Sequence, residues 1–160
     1  MAGDTQPPAG SNPGDDDLIE IVYLSERDRD VDDDDIIDIL RTAQTRNDAA
    51  GVSGLLLYDG RHFLQVIEGP RARVSRLYAD ILGDPRHINV RTVHEGLILK
   101  RVFEGWGMAY GRIAPNSEIL SLARQQLVDG QAEDPDIIHV GALVNARFAS
   151  NHRFTWTARG

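Results

Sequence analysis

The chain has 160 residues, with 17 Lys and Arg against 25 Asp and Glu for a net charge of −8, and no Cys. That length suits one domain, and the acidic balance argues against nucleic-acid or anionic-membrane partners, which need concentrated positive charge. The lack of Cys excludes disulfides, thiolate metal sites and any Cys nucleophile or Cys–cofactor adduct. No apolar run approaches the roughly 18–20 residues of a membrane span. The opening MAGDTQPPAGSNPGDDD lacks the basic start and apolar middle of a signal peptide, so the cytoplasm is the expected location.

Residues 1–17 hold three Gly, three Pro and four Asp, and they carry half of the net charge. Such a stretch offers too little apolar surface to offset its ordering entropy, and reads as a disordered acidic tail. Leu18 to Ser25 is a β-branched, alternating run and predicts a first strand. The acidic run Asp32–Asp35 then precedes a helical stripe of Ile36, Leu40, Ala43 and Asn47 that ends near Gly51. Those carboxylates suit a helix N-terminus; a divalent-metal site is disfavoured because consecutive residues in a cap fan outward.

Val52–Tyr58 and Arg61–Glu68 read as two strands joined by a tight turn at Asp59-Gly60. A two-residue turn there sets Gln65 opposite Gly54. Pro70 opens a second helix with the stripe Val74, Leu77, Tyr78, Ile81 and Leu82, stopped at Gly83. Asn89–Leu99 predicts a fourth strand, and alternating Trp106, Met108 and Tyr110 a fifth. The order β-α-β-β-α-β-β is ferredoxin-like, an α+β sandwich with a five-stranded mixed sheet and both helices on one face. Ser117 caps a further helix at Glu118–Leu127, and Asp134-Pro135 opens another to about Phe148. This C-terminal pair, within a helical extension over 113–160, is expected to cover the opposite sheet face.

Two amides stand where apolar residues are expected: Asn47 at the end of its stripe, and Gln65 between Phe63 and Ile67. A buried amide without partners costs roughly 1–3 kcal/mol, so something must bond it. From pattern alone, a satisfied core amide and a ligand-facing amide are equally compatible. An amide suits a heteroaromatic imide, because one side chain supplies both donor and acceptor. Tyr23 shares the inner alternation Ile19, Ile21, Tyr23, and Gln65 is a candidate partner for its hydroxyl. The five histidines show no ligand spacing, and no nucleophile elbow or phosphate loop occurs.

The strings Ile21–Ser25 (IVYLS), Asn47–Tyr58 (NDAAGVSGLLLY), Phe63–Pro70 (FLQVIEGP), Asp84–His87 (DPRH) and Phe103–Met108 (FEGWGM) resemble the BLUF family, the blue-light sensors using FAD. The resemblance spans residues 18–112 in the family's order and spacing. It implies a photosensor domain with a flavin held between the two helices on the sheet, as FAD or, in vitro, FMN or riboflavin. It implies that Tyr23 is the photoactive tyrosine, Gln65 the switching glutamine, and Asn47 the amide on the flavin pyrimidine ring. Trp106 and Met108 match the pair implicated in passing on the signal. The implied flavin contacts are Tyr23, Asn47, Gln65, Ile81, Asp84, Arg86, His87 and Met108. Arg46 stands where many relatives carry Asn, and Gly107 where Ser is common.

Residues 113–160 are too few for an enzymatic output domain. The expectation is a stand-alone sensor, not an enzyme, that acts through a protein partner and forms a homo-oligomer. The rival readings are a flavin-free ferredoxin-like oligomerisation module and a small flavin-dependent enzyme.

Overall fold

The structure is a computed structural model and describes residues 14–115 and 117–128. The chain runs β1 (Leu18–Arg27), α1 (Asp33–Ala50), β2 (Ser53–Tyr58), β3 (His62–Pro70), α2 (Arg71–Leu82), β4 (His87–Leu97), β5 (Ala109–Arg112) and α3 (Glu118–Val128). The five strands form one sheet in the order β4-β1-β3-β2-β5. All neighbours are antiparallel except β2 and β5, which are parallel. The expected ferredoxin-like α+β fold with a mixed sheet is therefore present.

Side-chain alternation divides the core in two. On the inner face Ile19, Ile21 and Tyr23 of β1 and Phe63 and Ile67 of β3 pack under Ile36, Ile39 and Leu40 of α1 and Val74, Leu77 and Ile81 of α2. On the outer face Val22, Leu24, Leu55, Leu57, Leu64 and Val66 meet Ile119, Leu120 and Ala123 of α3. The first C-terminal helix thus covers the face that α1 and α2 leave bare, as expected. The second, at 136–148, lies outside the described residues, as do residues 1–13 of the tail.

The acidic run before α1 acts as a cap. Asp32 accepts from the Asp35 backbone N–H at 2.9 Å, and Asp35 accepts from the Asp32 N–H at 3.0 Å. This reciprocal box satisfies donors the helix itself cannot, with roughly 1 kcal/mol at stake. The start of α2 has no such side chain, because Pro70 occupies the cap position. Its first N–H groups are met from the tail: Arg71 donates to the Asp17 carbonyl at 2.8 Å and Ala72 to that of Asp15 at 3.1 Å.

Four expectations need correction. The β2–β3 hairpin has a longer loop than the Asp-Gly pair suggested: Tyr58 pairs with Phe63, and Gln65 faces Leu56, not Gly54. The cause is the Asp59 carboxylate, which accepts from the N–H groups of both Arg61 (2.9 Å) and His62 (2.6 Å) and so organises a four-residue turn. The slip is two residues, so every side chain keeps its predicted face. Leu82 is 54% exposed and leaves the α2 stripe at Ile81. The fourth strand spans His87–Leu97, not Asn89–Leu99. Finally, Trp106 and Met108 do not alternate on a strand; both precede β5, in the strap of residues 98–108 that joins β4 to it.

Candidate functional site

A small cleft, open to solvent at its mouth, lies between α1, α2 and the inner sheet face. Its lining includes Asn47, Gln65, Ile81, Asp84, Arg86 and His87, six of the eight residues anticipated as flavin contacts, together with Arg46 and Leu56. Asn47 arrives on the buried stripe of α1, and Ile81 on that of α2. Asp84, Arg86 and His87 follow α2 into β4. The remaining two, Tyr23 and Met108, sit against Gln65.

Gln65 is the joint of this arrangement. It is directly opposite Tyr23 in the β1–β3 register. The Tyr23 hydroxyl donates to Gln65 Oε1, and Gln65 Nε2 donates to Met108 Sδ at 3.4 Å. One side-chain amide therefore links a phenol on one side to the strap on the other. Tyr23 is fully buried, and burial pushes its pKa far up, with Tyr78 adding to the effect, so it stands as a neutral hydrogen-bond donor.

Asn47 donates from Nδ2 to the Gly107 carbonyl at 2.8 Å, but its Oδ1 is buried without a partner. An acceptor left bare in this way costs about 1–3 kcal/mol. The imide N–H of a flavin pyrimidine ring is a donor of the required kind, so the residues present fit the group. Asn47 thus has two tasks, one toward the cleft and one toward the strap.

At the other wall Arg86 grips Asp84 through Nη2 at 2.6 Å and Nε at 3.0 Å. Those bonds hold the Asp84 carboxyl below its ordinary range. His87 Nδ1 lies 3.1 Å from Ser25 Oγ. Burial pushes the His87 pKa down from 6.5; the nearby Arg86 and Arg46 reinforce this, and Asp84 opposes it. The unfolded chain therefore takes up a proton that the folded site refuses, and stability falls as the pH drops below 6.5. Glu20, raised by burial and then by Glu68, acts in the opposite direction. Urea unfolding of the wild type and of His87→Asn at about pH 7.5 and 5.5 separates the two, and the variant is expected to lose less stability on acidification. Equal losses in both proteins would remove His87 as the cause.

Trp106 is not in this cleft. It packs against the outer cluster, while Met108 belongs to the inner one. The strap passes from one core to the other within three residues. Its inner end is held by α1, because Gln44 Nε2 donates to the Met108 carbonyl at 3.1 Å beside the Asn47–Gly107 bond. A Cβ on Gly107 would fall 2.4 Å from Asp48 Oδ1 and 2.8 Å from the Gln44 carbonyl, which accounts for glycine there.

Sequence reasoning passed over Gln44 and Glu68. Glu68 carried a signal, a charge in the outward alternation Leu64, Val66, Glu68, and it is fully buried. Among the described residues no group of three or more His, Asp and Glu could hold a metal ion, and no helix is long and apolar enough to cross a membrane.

Comparison with known proteins agrees with this geometry. The sequence profile of the family described as sensors of blue-light using FAD matches residues 18–109. The chain is 38% identical over 96 residues to the photoactivated adenylate cyclase subunit beta of Euglena gracilis, a match covering 60% of this chain and 11% of that protein. It is 37% identical over 73 residues to the blue light- and temperature-regulated antirepressor BluF of Escherichia coli K12, covering 46% of this chain and 18% of the relative. The chain thus spans less than a fifth of the length of these curated relatives. Among solved structures, the dark state of the BLUF protein BlrB superposes with a TM-score of 0.61 at 32% identity, covering 82% of this chain and 98% of that one. The photo-activated state of BlsA gives 0.60 at 26% identity, covering 84% and 92%.

Proposed function

The chain belongs to the BLUF family, flavin-binding sensors of blue light, and from that premise we propose that Tyr23, Gln65 and Asn47 are its working residues and Met108 its first relay. The observation that carries the assignment is Gln65, bonded to the Tyr23 hydroxyl through one amide atom and to Met108 through the other. FAD, when bound, supplies the blue-light absorption and the electron-accepting chemistry of its excited ring. Asn47 Oδ1 and the Gln65 amide would hold its pyrimidine end, with Asp84, Arg86, His87 and Ile81 along the rest of the cleft.

The photochemistry then rests on one proton and one amide. The Tyr23 Oη proton lies on the bond to Gln65 Oε1; its passage to Oε1 as the phenol gives up an electron, and its return to Oη as the electron returns, would loosen the bond that fixes the amide. Once freed, the Gln65 side chain can reverse. Nε2 then faces the phenol oxygen, and Oε1 faces Met108 Sδ, which has no proton to give. The two states differ by a few hydrogen bonds worth about 1 kcal/mol each, a scale that biases a neighbouring element without unfolding the domain. Cys plays no part.

The photosensor comprises residues 18–112, and its output is the strap with the C-terminal extension 113–160, which engages a protein partner or a second copy of the chain. This reading makes the chain a sensor without catalysis of its own, working in the cytoplasm.

Expressed with ample FAD, the purified protein is expected to carry oxidised flavin, and blue light is expected to shift its absorption reversibly to the red. Asn47→Ala should weaken flavin retention by about ten- to a hundredfold, the effect of losing one or two buried hydrogen bonds. A protein that stays colourless, or a flavin that bleaches without the red shift, would sink the proposal.

A further inference from the structure

The strap of residues 98–108 has an inner anchor that touches the cleft and an outer one that does not, with the Gly54 N–H on the Trp106 carbonyl at 3.1 Å between them. The outer one is built on Glu68, three residues beyond Gln65 on β3 and on the opposite sheet face. Its carboxylate is wholly buried. Oε1 accepts from the backbone N–H of Phe103 at 2.6 Å and from Ser53 Oγ at 2.9 Å, and Oε2 accepts from the N–H of Val102 at 3.0 Å. Arg101 of the same strap donates to Ser53 Oγ at 3.0 Å and to the Gly51 carbonyl at the end of α1 at 2.6 Å. From this fixed point the chain makes a tight turn, with Trp106 N–H on the Phe103 carbonyl at 2.9 Å, and reaches Met108 against Gln65.

A buried carboxylate at the end of a strand needs a reason, since an apolar residue would pack there at lower cost. Here the bonds made with the strap supply it. Because β3 also carries Gln65, one rigid strand holds both the strap's anchor and the amide that Met108 meets. We propose that Glu68 is a positioning residue: it fixes the pivot of the strap, and thereby the placement of Met108 against Gln65. This deepens the reading above and rests on it for the light-driven arm alone. A change at Gln65 moves Met108 relative to a pivot on the same strand, so the strap bends between its two holds. With the pivot loosened, the same change at Gln65 is taken up by slack and does not displace the strap in a defined direction.

Glu68→Gln tests this. The amide places a donor against one of the strap's donors, which breaks that bond while keeping the side chain's size. The chain has two Met residues, so a methyl-labelled sample gives one signal for Met108 and one for Met1. In the full-length, FAD-loaded protein in the dark, Glu68→Gln is expected to speed amide exchange at Val102 and Phe103 about tenfold or more, as befits loss of charge-assisted bonds, and to move or broaden the Met108 methyl signal. Under blue light the flavin red shift should persist while the light-induced displacement of the Met108 signal falls by more than half. An unchanged Met108 signal in dark and light, even with faster exchange at 102 and 103, would overturn the proposal. Should Glu68→Gln fail to fold, Ser53→Ala removes one donor and leaves the carboxylate, and the same shifts are expected at smaller size; their absence counts equally against it. If the wild type shows no red shift, the photosensor reading fails, and the dark exchange and methyl signals still decide the anchor.

Discussion

Tyr23→Phe is expected to abolish the light-induced red shift while flavin stays bound. The variant keeps the ring, which packs 5.5 Å from Tyr78 and edge-on to His87 at 6.3 Å, so the inner core keeps its filling. It removes a single oxygen, the donor to Gln65 Oε1. That acceptor is then left bare in a buried site at a cost of about 1–3 kcal/mol, a sizeable fraction of a stability of about 5–15 kcal/mol but short of unfolding the domain. With no phenolic proton on the bond, nothing prompts the amide to reverse. The measurement is the light-minus-dark absorption difference at matched flavin occupancy. A normal red shift in the variant would show that another group is the donor.

The largest effect on stability is expected from Gly54→Ala. A Cβ on Gly54 would lie 2.2 Å from the Val66 carbonyl oxygen, 3.2 Å from its carbon and 3.3 Å from Ile67 Cα, all backbone of the neighbouring strand. No rotamer change relieves such a contact; β2 must move away from β3 in the middle of the sheet. Gly54 N–H also donates to the Trp106 carbonyl at 3.1 Å, so the strap moves with it. The expected loss is about 3 kcal/mol, the upper range for overpacking a core. Gly83→Ala is the matched control. Its φ is −89°, and its nearest neighbour would be 3.7 Å away, so it should be neutral or slightly stabilising. Urea unfolding of the two variants checks the contrast, and a loss below about 1 kcal/mol for Gly54→Ala would contradict the close strand approach.

The fold was legible in the sequence because alternation and helical spacing report faces, and faces survive small errors of register. Gln65 falls on the inner face by its place between Phe63 and Ile67, and the two-residue error in its hairpin partner leaves that face unchanged. The turn itself was not legible: an Asp-Gly pair is compatible with both loop lengths, and the choice fell to the Asp59 carboxylate binding two later N–H groups. The amides at Asn47 and Gln65 stood out because each broke an apolar pattern. Glu68 broke its pattern in the same way, but its partners are the N–H groups of Val102 and Phe103, more than thirty residues on. Backbone donors leave no mark in a sequence. Trp106 and Met108 were misread for a related reason, since alternating bulky residues imitate a strand wherever glycines separate them, and here Gly105 and Gly107 do.

The strap's passage between the two cores has a consequence for how such a chain can diverge. The residues that line the cleft and those that receive α3 share strands yet fall in two separate side-chain clusters, and the main chain of residues 103–108 crosses from one to the other. The side chains of Val22, Leu24, Leu55 and Val66 belong to the outer cluster alone, so they can be refitted to a different helix without replacing a side chain of the inner one. The two faces are thereby open to independent selection, one by what enters the cleft and the other by the helix it receives.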